Sequence, residues 1–273
     1  MAKDINPPRG MRDFLPVEKA KRDRVLGVIR DTYKGHGYQE IETPALEDLS
    51  RLTSGQGGDN EKLAYRVMKR GEELERALVT SGDPDTLADL GLRFDLTVPL
   101  TRYYATNFSK LPRVFKAIQT GPVWRAERPQ KGRYRQFVQC DIDIIGDDSE
   151  LAEVDLLVSS LDALRAVGVA DAVIRVNHRA LLASLLDGLG VPESGRGKAM
   201  IIIDKLDKIE AAGVEKELTE RFGEQVGSKA GKWLAEIAAD KSVPNELTEI
   251  FEAVETRHKG RLRFDATLVR GMG

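Results

Sequence analysis

The sequence predicts an α+β fold built around an antiparallel sheet. Candidate strands and helices are mixed along the chain without the regular strand–helix–strand alternation of a doubly wound parallel sheet. No G-x-G-x-x-G opens a helix and no G-x-x-x-x-G-K-S/T occurs, so neither a Rossmann nor a P-loop nucleotide site is predicted. The clearest elements are two long strands, Val114–Trp124 and Phe137–Ile145, on either side of a charged loop.

Hydrophobic periodicity and turn residues divide the first half into helices and strands. The predicted elements are a helix over Val17–Lys34, strands over Tyr38–Thr43, Ala64–Lys69, Arg76–Thr80 and Leu92–Val98, and a helix from Pro99 to about Phe108.

The second half changes character after a strand at Val173–Asn177. Leucine-rich and charged helical patterns fill 178–258, and strand character returns at Arg261–Val269. We therefore expect a core domain over 1–177 that is completed by 259–273, with a small helical domain over 178–258.

Composition is typical of a soluble globular protein, with 41% hydrophobic and 32% charged residues in a chain of 273. The formal net charge of -2 leaves any contact with nucleic acid to a local basic patch. Cys140 is the only cysteine, which excludes an intrachain disulfide, and we expect it to pack in the core. No secretory leader and no bilayer-length apolar run is present, so a cytoplasmic location is expected.

The loop between the two long strands is a candidate clamp for a polyphosphate. It contains one carboxylate, Glu127, among five cations: Arg125, Arg128, Lys131, Arg133 and Arg135. Arginine forks bind phosphate oxygens bidentately. The same composition also fits a solvated hairpin with scattered ion pairs, and the loop alone does not decide between the two.

The strand after this loop alternates between polar and apolar residues. Phe137, Gln139, Asp141 and Asp143 share one face, while Val138, Cys140, Ile142 and Ile144 share the other, which is the predicted core face. The polar face either meets water or lines a pocket beside the arginine-rich loop.

The predicted strand Leu92–Val98 alternates in the same way. Arg93, Asp95 and Thr97 share one face. A carboxylate with a hydroxyl two residues away is suited to an amino-acid ammonium group, although Asp95 could instead form a structural salt bridge.

Five segments together resemble the histidyl-tRNA synthetases, which are class II aminoacyl-tRNA synthetases. The resembling segments are Pro8–Pro16 (first motif region), Leu92–Pro99 (histidine-binding strand, with Asp in place of Glu), Gly121–Gln139 (second motif), Asp204–Lys208 (insertion domain) and Leu268–Gly271 (start of the histidine-specific motif). The resemblance spans essentially the whole chain, and the second motif is highly specific. It implies a class II synthetase-type antiparallel sheet flanked by helices, with 178–258 as a helical insertion domain.

This resemblance implies roles in ATP binding and catalysis. Arg125 would hold the α-phosphate, Glu127 would lie at the adenine end, and Phe137 would stack on the adenine ring. Arg133 would form a second phosphate contact or bind the histidine carboxylate. Arg125 and Arg270 would be the catalytic pair, with Arg270 standing where other class II enzymes place a magnesium-supported contact.

Histidine binding is assigned in the same way. Asp95 and Thr97 would receive the α-amino group, Gln139 would contact bound histidine, and Asp143 would bind the imidazole. The resemblance implies ATP-dependent formation of histidyl-adenylate with Mg²⁺, transfer of histidine to histidine tRNA, and a homodimer.

Other functions remain open at this point. A histidine-sensing regulatory subunit of ATP phosphoribosyltransferase would share the fold, although the intact second motif and Arg270 argue against it. A stand-alone RNA-binding or partner-binding module is disfavoured by the acidic charge. His36, His178 and His258 are widely separated, so no metal site is expected.

The sequence also departs from the family pattern. The histidine motif should continue past Arg270–Gly271 into a tyrosine pair, and a third motif and an anticodon-binding domain should follow. We therefore expect a fragment of such an enzyme, with little or no aminoacylation activity on its own.

Overall fold

The computed structural model describes residues 5–53, 63–81, 86–239 and 242–269. The contacts within the chain group into two units, Met1–Ala152 and Glu153–Gly273. Each unit has its own sheet elements and its own hydrophobic clusters.

The first unit contains four helices and six strands among its described residues. They are α1 (Pro16–Gly35), β1 (Gln39–Ile41), β2 (Leu46–Asp48), α2 (Leu49–Leu52), β3 (Tyr65–Met68), α3 (Glu72–Thr80), β4 (Ala88–Leu92), α4 (Thr97–Asn107), β5 (Phe115–Trp124) and β6 (Gln136–Ile145).

Two three-stranded sheets organise this unit. One has the order β1-β5-β6, in which β5 and β6 pair antiparallel along their whole length and β1 lies parallel to β5. The other has the order β2-β4-β3 and is antiparallel throughout. The predicted α+β class with an antiparallel sheet and flanking helices is confirmed. The predicted strand Tyr38–Thr43 is present as β1, but its parallel pairing with β5 was not predicted.

Helix α4 packs on the sheet through a small aromatic cluster. Leu100 of α4 meets Phe115 and Ala117 of β5, all almost fully buried. The rings of Tyr103 and Tyr104 stack near Phe115 with centroid distances of 6.4 and 6.5 Å. Burying one phenylalanine side chain contributes roughly 1.5–3 kcal/mol to stability. This contact therefore holds α4 against β5.

Two of the predicted strands are wrong. Arg76–Thr80 belongs to the helix α3, whose first turn carries acidic residues that favour a helix N-terminus. The predicted strand Leu92–Val98 ends at Leu92, and α4 begins at Thr97. The Asp95 side chain accepts a hydrogen bond from the Val98 amide at 3.1 Å, which caps the helix and ends the extended backbone.

The second unit is mainly helical. Its elements are α5 (Glu150–Ala166), β7 (Ile174–Val176), α6 (Arg179–Leu189), α7 (Arg196–Ile203), α8 (Leu206–Phe222), α9 (Glu224–Ala239), α10 (Thr248–Glu255) and β8 (Leu262–Phe264). Strands β7 and β8 pair in parallel. One hydrophobic cluster joins α6 to α9, and a second joins α5 and α10 to β7 and β8. Within the described ranges, no helix is long and apolar enough to span a bilayer.

Helix α8 contains a strained residue near its start. Glu210 has φ 58° and ψ 175°, a backbone conformation that interrupts the helix and that glycine adopts far more readily. It is the one non-glycine residue with positive φ in the described part of the chain.

Replacing Glu210 with glycine should therefore stabilise the chain. We expect Glu210→Gly to raise the free energy of unfolding by about 1 kcal/mol, measured by urea denaturation followed by circular dichroism. The matched control is Glu220→Gly, in the regular part of α8, which should lower it by about 1 kcal/mol. Equal losses in both variants would contradict this account of Glu210.

Candidate active site

The polar face of β6 is half-buried rather than fully open to water. In the antiparallel register, Phe137, Gln139, Asp141 and Asp143 lie opposite Val123, Gly121, Gln119 and Ala117. Directly opposed residues share a face of the sheet. These four β5 residues are all buried, so the polar residues of β6 border a covered surface.

Arg125 follows β5 directly and is held by three contacts. Its backbone amide donates to the Arg135 carbonyl at 2.8 Å, and its Nε donates to the Phe94 carbonyl at 3.0 Å. Its guanidinium carbon lies 5.2 Å from the centroid of the Phe137 ring. The Nε contact and the ring orient the side chain. Its terminal nitrogens donate no hydrogen bond to the residues that the structure describes, which leaves them suited to an anion.

The charged loop after Arg125 is internally paired. The Nε of Arg133 lies 2.5 Å from a Glu127 carboxylate oxygen, and the Nε of Arg135 donates to the Glu127 carbonyl at 2.9 Å. The Arg135 amide donates to the Gly10 carbonyl at 2.7 Å, which ties the N-terminal segment to the loop. Beside these contacts lies an open cleft of about 590 Å³, lined by Leu63, Glu127, Arg128, Pro129, Gln130 and Arg133.

Three carboxylates face one region beside Arg125. Burial, followed by repulsion from Asp143 and Asp95, raises the pKa of Asp141 to about 6, and Arg125 opposes that shift. Burial and then Asp95 also raise the pKa of Asp143. Negative charge is therefore in excess at this point, and a cationic ligand group would relieve it.

The remaining predicted residues are placed as follows. Asp95 precedes α4, and Thr97 is the exposed first residue of that helix, so the two do not share a strand face as predicted. The Oε1 of Gln139 is buried and has no hydrogen-bond partner within the described part of the chain. A buried acceptor of this kind is suited to a ligand donor. The predicted catalytic residue Arg270 lies outside the described residues.

Asp141, Arg93 and Gln119 belong to this region but were not predicted as site residues. Alternation along β6 did place Asp141 on the polar face. Gln119 is 2% exposed, and its Nε2 donates to the Leu96 carbonyl at 2.9 Å. Nothing in the local sequence signals that contact, because the partner lies in another element.

Cys140 lies on the opposite face of β6. Burial raises the pKa of its thiol, and the Thr120 hydroxyl lies 3.3 Å from its sulfur. A thiol with a raised pKa is a poor nucleophile, which fits a packing role. In the ranges that the structure describes, no group of three His, Cys, Asp or Glu side chains is arranged to hold a metal ion.

The raised pKa of Asp141 predicts a pH-dependent stability. The folded state favours the protonated carboxyl, so this group stabilises the fold most below pH about 4, its unfolded value, and the contribution is lost as the pH rises through about 6. We expect Asp141→Asn to raise the free energy of unfolding above pH 7 by roughly 1 kcal/mol, after allowance for solvent screening.

Thermal unfolding of both proteins between pH 4 and 8 checks this prediction. The stability difference should shrink toward pH 4. The exposed Asp48, in the same unit, provides the matched control Asp48→Asn. A stability difference for Asp141→Asn that does not change with pH would contradict the prediction.

Residues 10–271 match the family described as histidyl-tRNA synthetase. A histidine--tRNA ligase of Leifsonia xyli subsp. xyli is 50% identical over 298 aligned residues, an alignment that covers 100% of this chain and 69% of that protein.

Solved structures agree on the fold. The histidyl-tRNA synthetase of Nostoc sp. PCC 7120 has a TM-score of 0.79 and 28% identity, covering 99% of this chain and 63% of that one. A Bacillus halodurans structure, described as an ATP phosphoribosyltransferase regulatory subunit/histidyl-tRNA synthetase, has a TM-score of 0.72 at 19% identity. The match covers 100% of this chain and 71% of that one, and at this identity it shows the fold alone. On the family match and the 50% identical relative, this chain belongs to the histidyl-tRNA synthetase family.

Proposed function

We propose that the chain binds ATP and histidine for a histidine–tRNA ligase reaction. The observation that carries the proposal is the position of Arg125: its Nε binds the carbonyl of Phe94, which precedes Asp95, and it lies near Asp141, which shares a face of β6 with Asp143. An arginine suits the phosphates of ATP, and the carboxylates suit the ammonium and imidazole groups of histidine. The assignments of Glu127, Arg133, Phe137, Thr97 and Gln139 to the two ligands are part of the same proposal.

The first half-reaction needs little covalent chemistry from the protein. The histidine carboxylate oxygen attacks the α-phosphorus, the bond to the bridging oxygen breaks, and pyrophosphate leaves with the bond electrons. Arg125 would neutralise the negative charge that grows on the α-phosphate oxygens, and the acids would hold the nucleophile in line. The Phe94 carbonyl fixes the direction of Arg125 before ATP arrives.

Magnesium enters this proposal as a companion of ATP. The described side chains offer no three-residue metal cluster, which fits an ion held mainly by phosphate oxygens rather than by a protein cage. In the second half-reaction, the terminal ribose hydroxyl of histidine tRNA attacks the adenylate carbonyl. The bond between the carbonyl carbon and the phosphate oxygen breaks, and AMP leaves while the hydroxyl proton passes to the phosphate or to water. Since charging tRNA serves translation, we propose a cytoplasmic location.

A regulatory, histidine-sensing function is the less supported alternative. It would use the acids of the site but would not need Arg125 to face the phosphates. Incorporation of labelled pyrophosphate into ATP, dependent on histidine, is expected only for the ligase function.

The test is calorimetric titration of ATP and of histidine into the 273-residue chain. We expect Arg125→Ala to weaken ATP binding at least about tenfold, because a charge-assisted contact is lost. Asp95→Asn should weaken histidine binding similarly and leave ATP binding close to wild type.

The matched control for these variants is Arg51→Ala, which removes an exposed arginine of the same unit. It should bind both ligands normally. A folded wild-type chain that binds neither ligand, or an Arg125→Ala variant with unchanged ATP affinity, would overturn the proposal.

We further propose that α1 forms a homodimer contact. Val17 is 69% exposed, and Val25, about 80° further round the helix, is 41% exposed. These two exposed valines give one side of α1 an apolar surface that a second copy of the chain would cover.

The homodimer proposal predicts that charge on this face prevents association. Val17→Glu combined with Val25→Glu should give a monomer in sedimentation equilibrium at concentrations where the wild type is a dimer, since a buried unpaired carboxylate is costly. Lys19→Glu, on the opposite side of the helix, is the control and should remain dimeric. A double variant that still dimerises would exclude this face.

We also propose that 178–258 is a helical insertion in the synthetase core. The proposal is supported by the hydrophobic cluster that joins α6, α7, α8 and α9 to one another. Helix α10, although within this range, packs with α5, β7 and β8.

A further inference from the structure

Arg93 is a buried arginine to which the proposed reaction assigns no role. Its residue is only 5% exposed, and burial lowers the pKa of its guanidinium, with Glu42 opposing the shift. A buried charge is costly unless its donors are satisfied. The contacts of the side chain therefore indicate what it stabilises.

The Arg93 side chain joins two separate parts of the first unit. Its Nη1 donates to the Thr43 carbonyl at 2.7 Å and to the Pro44 carbonyl at 3.2 Å, both in the connection between β1 and β2. Its Nε donates to the Pro122 carbonyl of β5 at 3.0 Å. The Arg93 carbonyl in turn accepts from the Trp124 amide at 3.0 Å. Side chain and backbone thus anchor residue 93 to the end of β5.

Gly121 provides the space for this anchor. A Cβ atom at position 121 would lie 2.3 Å from Nη2 of Arg93, well inside contact distance. Any larger residue at 121 would therefore displace the guanidinium without changing residue 93 itself.

The two residues after Arg93 contact the two halves of the candidate site. The Phe94 carbonyl accepts the hydrogen bond from Nε of Arg125 at 3.0 Å. Asp95 accepts from the Val98 amide at 3.1 Å and electrostatically affects Asp141 and Asp143. Residues 93–95 thus link the buried side chain of Arg93 to Arg125, the arginine assigned to ATP, and include Asp95, the acid assigned to histidine.

We infer that Arg93 is a positioning residue that keeps Arg125 and Asp95 in a fixed relative position. The inference rests on the proposed function, which assigns ATP to Arg125 and histidine to Asp95. If residues 93–95 move, both contacts move together, and small misplacements of reacting groups are costly. Arg93 itself touches neither ligand in this scheme.

The test uses two different ways of disturbing the anchor. Arg93→Lys keeps the charge but lacks the planar fork that reaches Thr43 and Pro122 at once. Gly121→Ala keeps Arg93 but displaces its guanidinium. The matched control is Gly27→Ala in α1, where an added Cβ meets nothing within 4 Å.

Affinities for ATP and histidine are measured by calorimetry at a temperature well below each variant's unfolding midpoint. We expect both Arg93→Lys and Gly121→Ala to weaken both ligands by about five- to tenfold. Gly27→Ala should bind both ligands like the wild type. A purely structural function would lower the unfolding midpoint and leave the affinities of the folded protein unchanged.

Two double-mutant cycles test whether Arg93 affects ligand binding through Arg125 and Asp95. In an Arg125→Ala background, Arg93→Lys should weaken ATP binding no further, and in an Asp95→Asn background it should weaken histidine binding no further. Full additivity in both cycles would overturn the inference.

The outcomes separate this inference from the proposed function. Loss of affinity for both ligands with non-additive cycles supports it. Wild-type affinities in folded Arg93→Lys and Gly121→Ala, or weakening of only one ligand, would overturn it and leave the proposed function intact. A folded wild-type chain that binds neither ligand overturns both.

Discussion

The ten-residue antiparallel pairing of β5 with β6 is the constraint on which the candidate site depends. Its register runs from Phe115 opposite Ile145 to Trp124 opposite Gln136. A slip of one residue would move Gln139, Asp141 and Asp143 to the other face of the sheet. Val138, Ile142 and Ile144 of β6 would change face at the same time and lose their apolar contacts, which makes such a slip costly. Apolar packing on one face of β6 therefore fixes the polar groups on its other face.

The pairing of β5 with β6 leaves the site with more carboxylates than cationic side chains. Desolvation and repulsion from neighbouring carboxylates, including Asp95, disfavour ionised Asp141 and Asp143, and Arg125 offsets only part of this cost at Asp141. Under the proposed function, the cationic groups of histidine would complete the balance, while Arg125 would turn its free nitrogens to phosphate. The Oε1 of Gln139, which accepts no hydrogen bond from any residue that the structure describes, fits the same pattern, since a ligand donor would satisfy it. The ligands would thus supply interactions that the fold alone leaves incomplete.

Sequence periodicity predicted the hairpin well because both strands are long and β6 alternates. The observed bounds of β5 and β6 differ from the predicted ones by a single residue at the start of each. Alternation failed at Leu92–Val98, where Asp95 caps α4 and overrides the extended pattern. The contacts of Arg93 could not be predicted from periodicity, because its side-chain partners are 29 to 50 residues away along the chain.

Arg125 and Arg133 are held by different partners, and this difference affects how each would bind an anion. Arg125 is oriented by a neutral acceptor, the Phe94 carbonyl, and forms no direct ion pair within the described residues, although Asp141 lies near enough to interact with its charge. Arg133 is paired with the Glu127 carboxylate, and its side chain is 57% exposed. A phosphate at Arg133 must share or replace that carboxylate, and solvent screening weakens both contacts. Under the proposed function, the contribution of phosphate binding to transition-state stabilisation therefore falls mainly on Arg125, because its geometry is set before the ligand arrives.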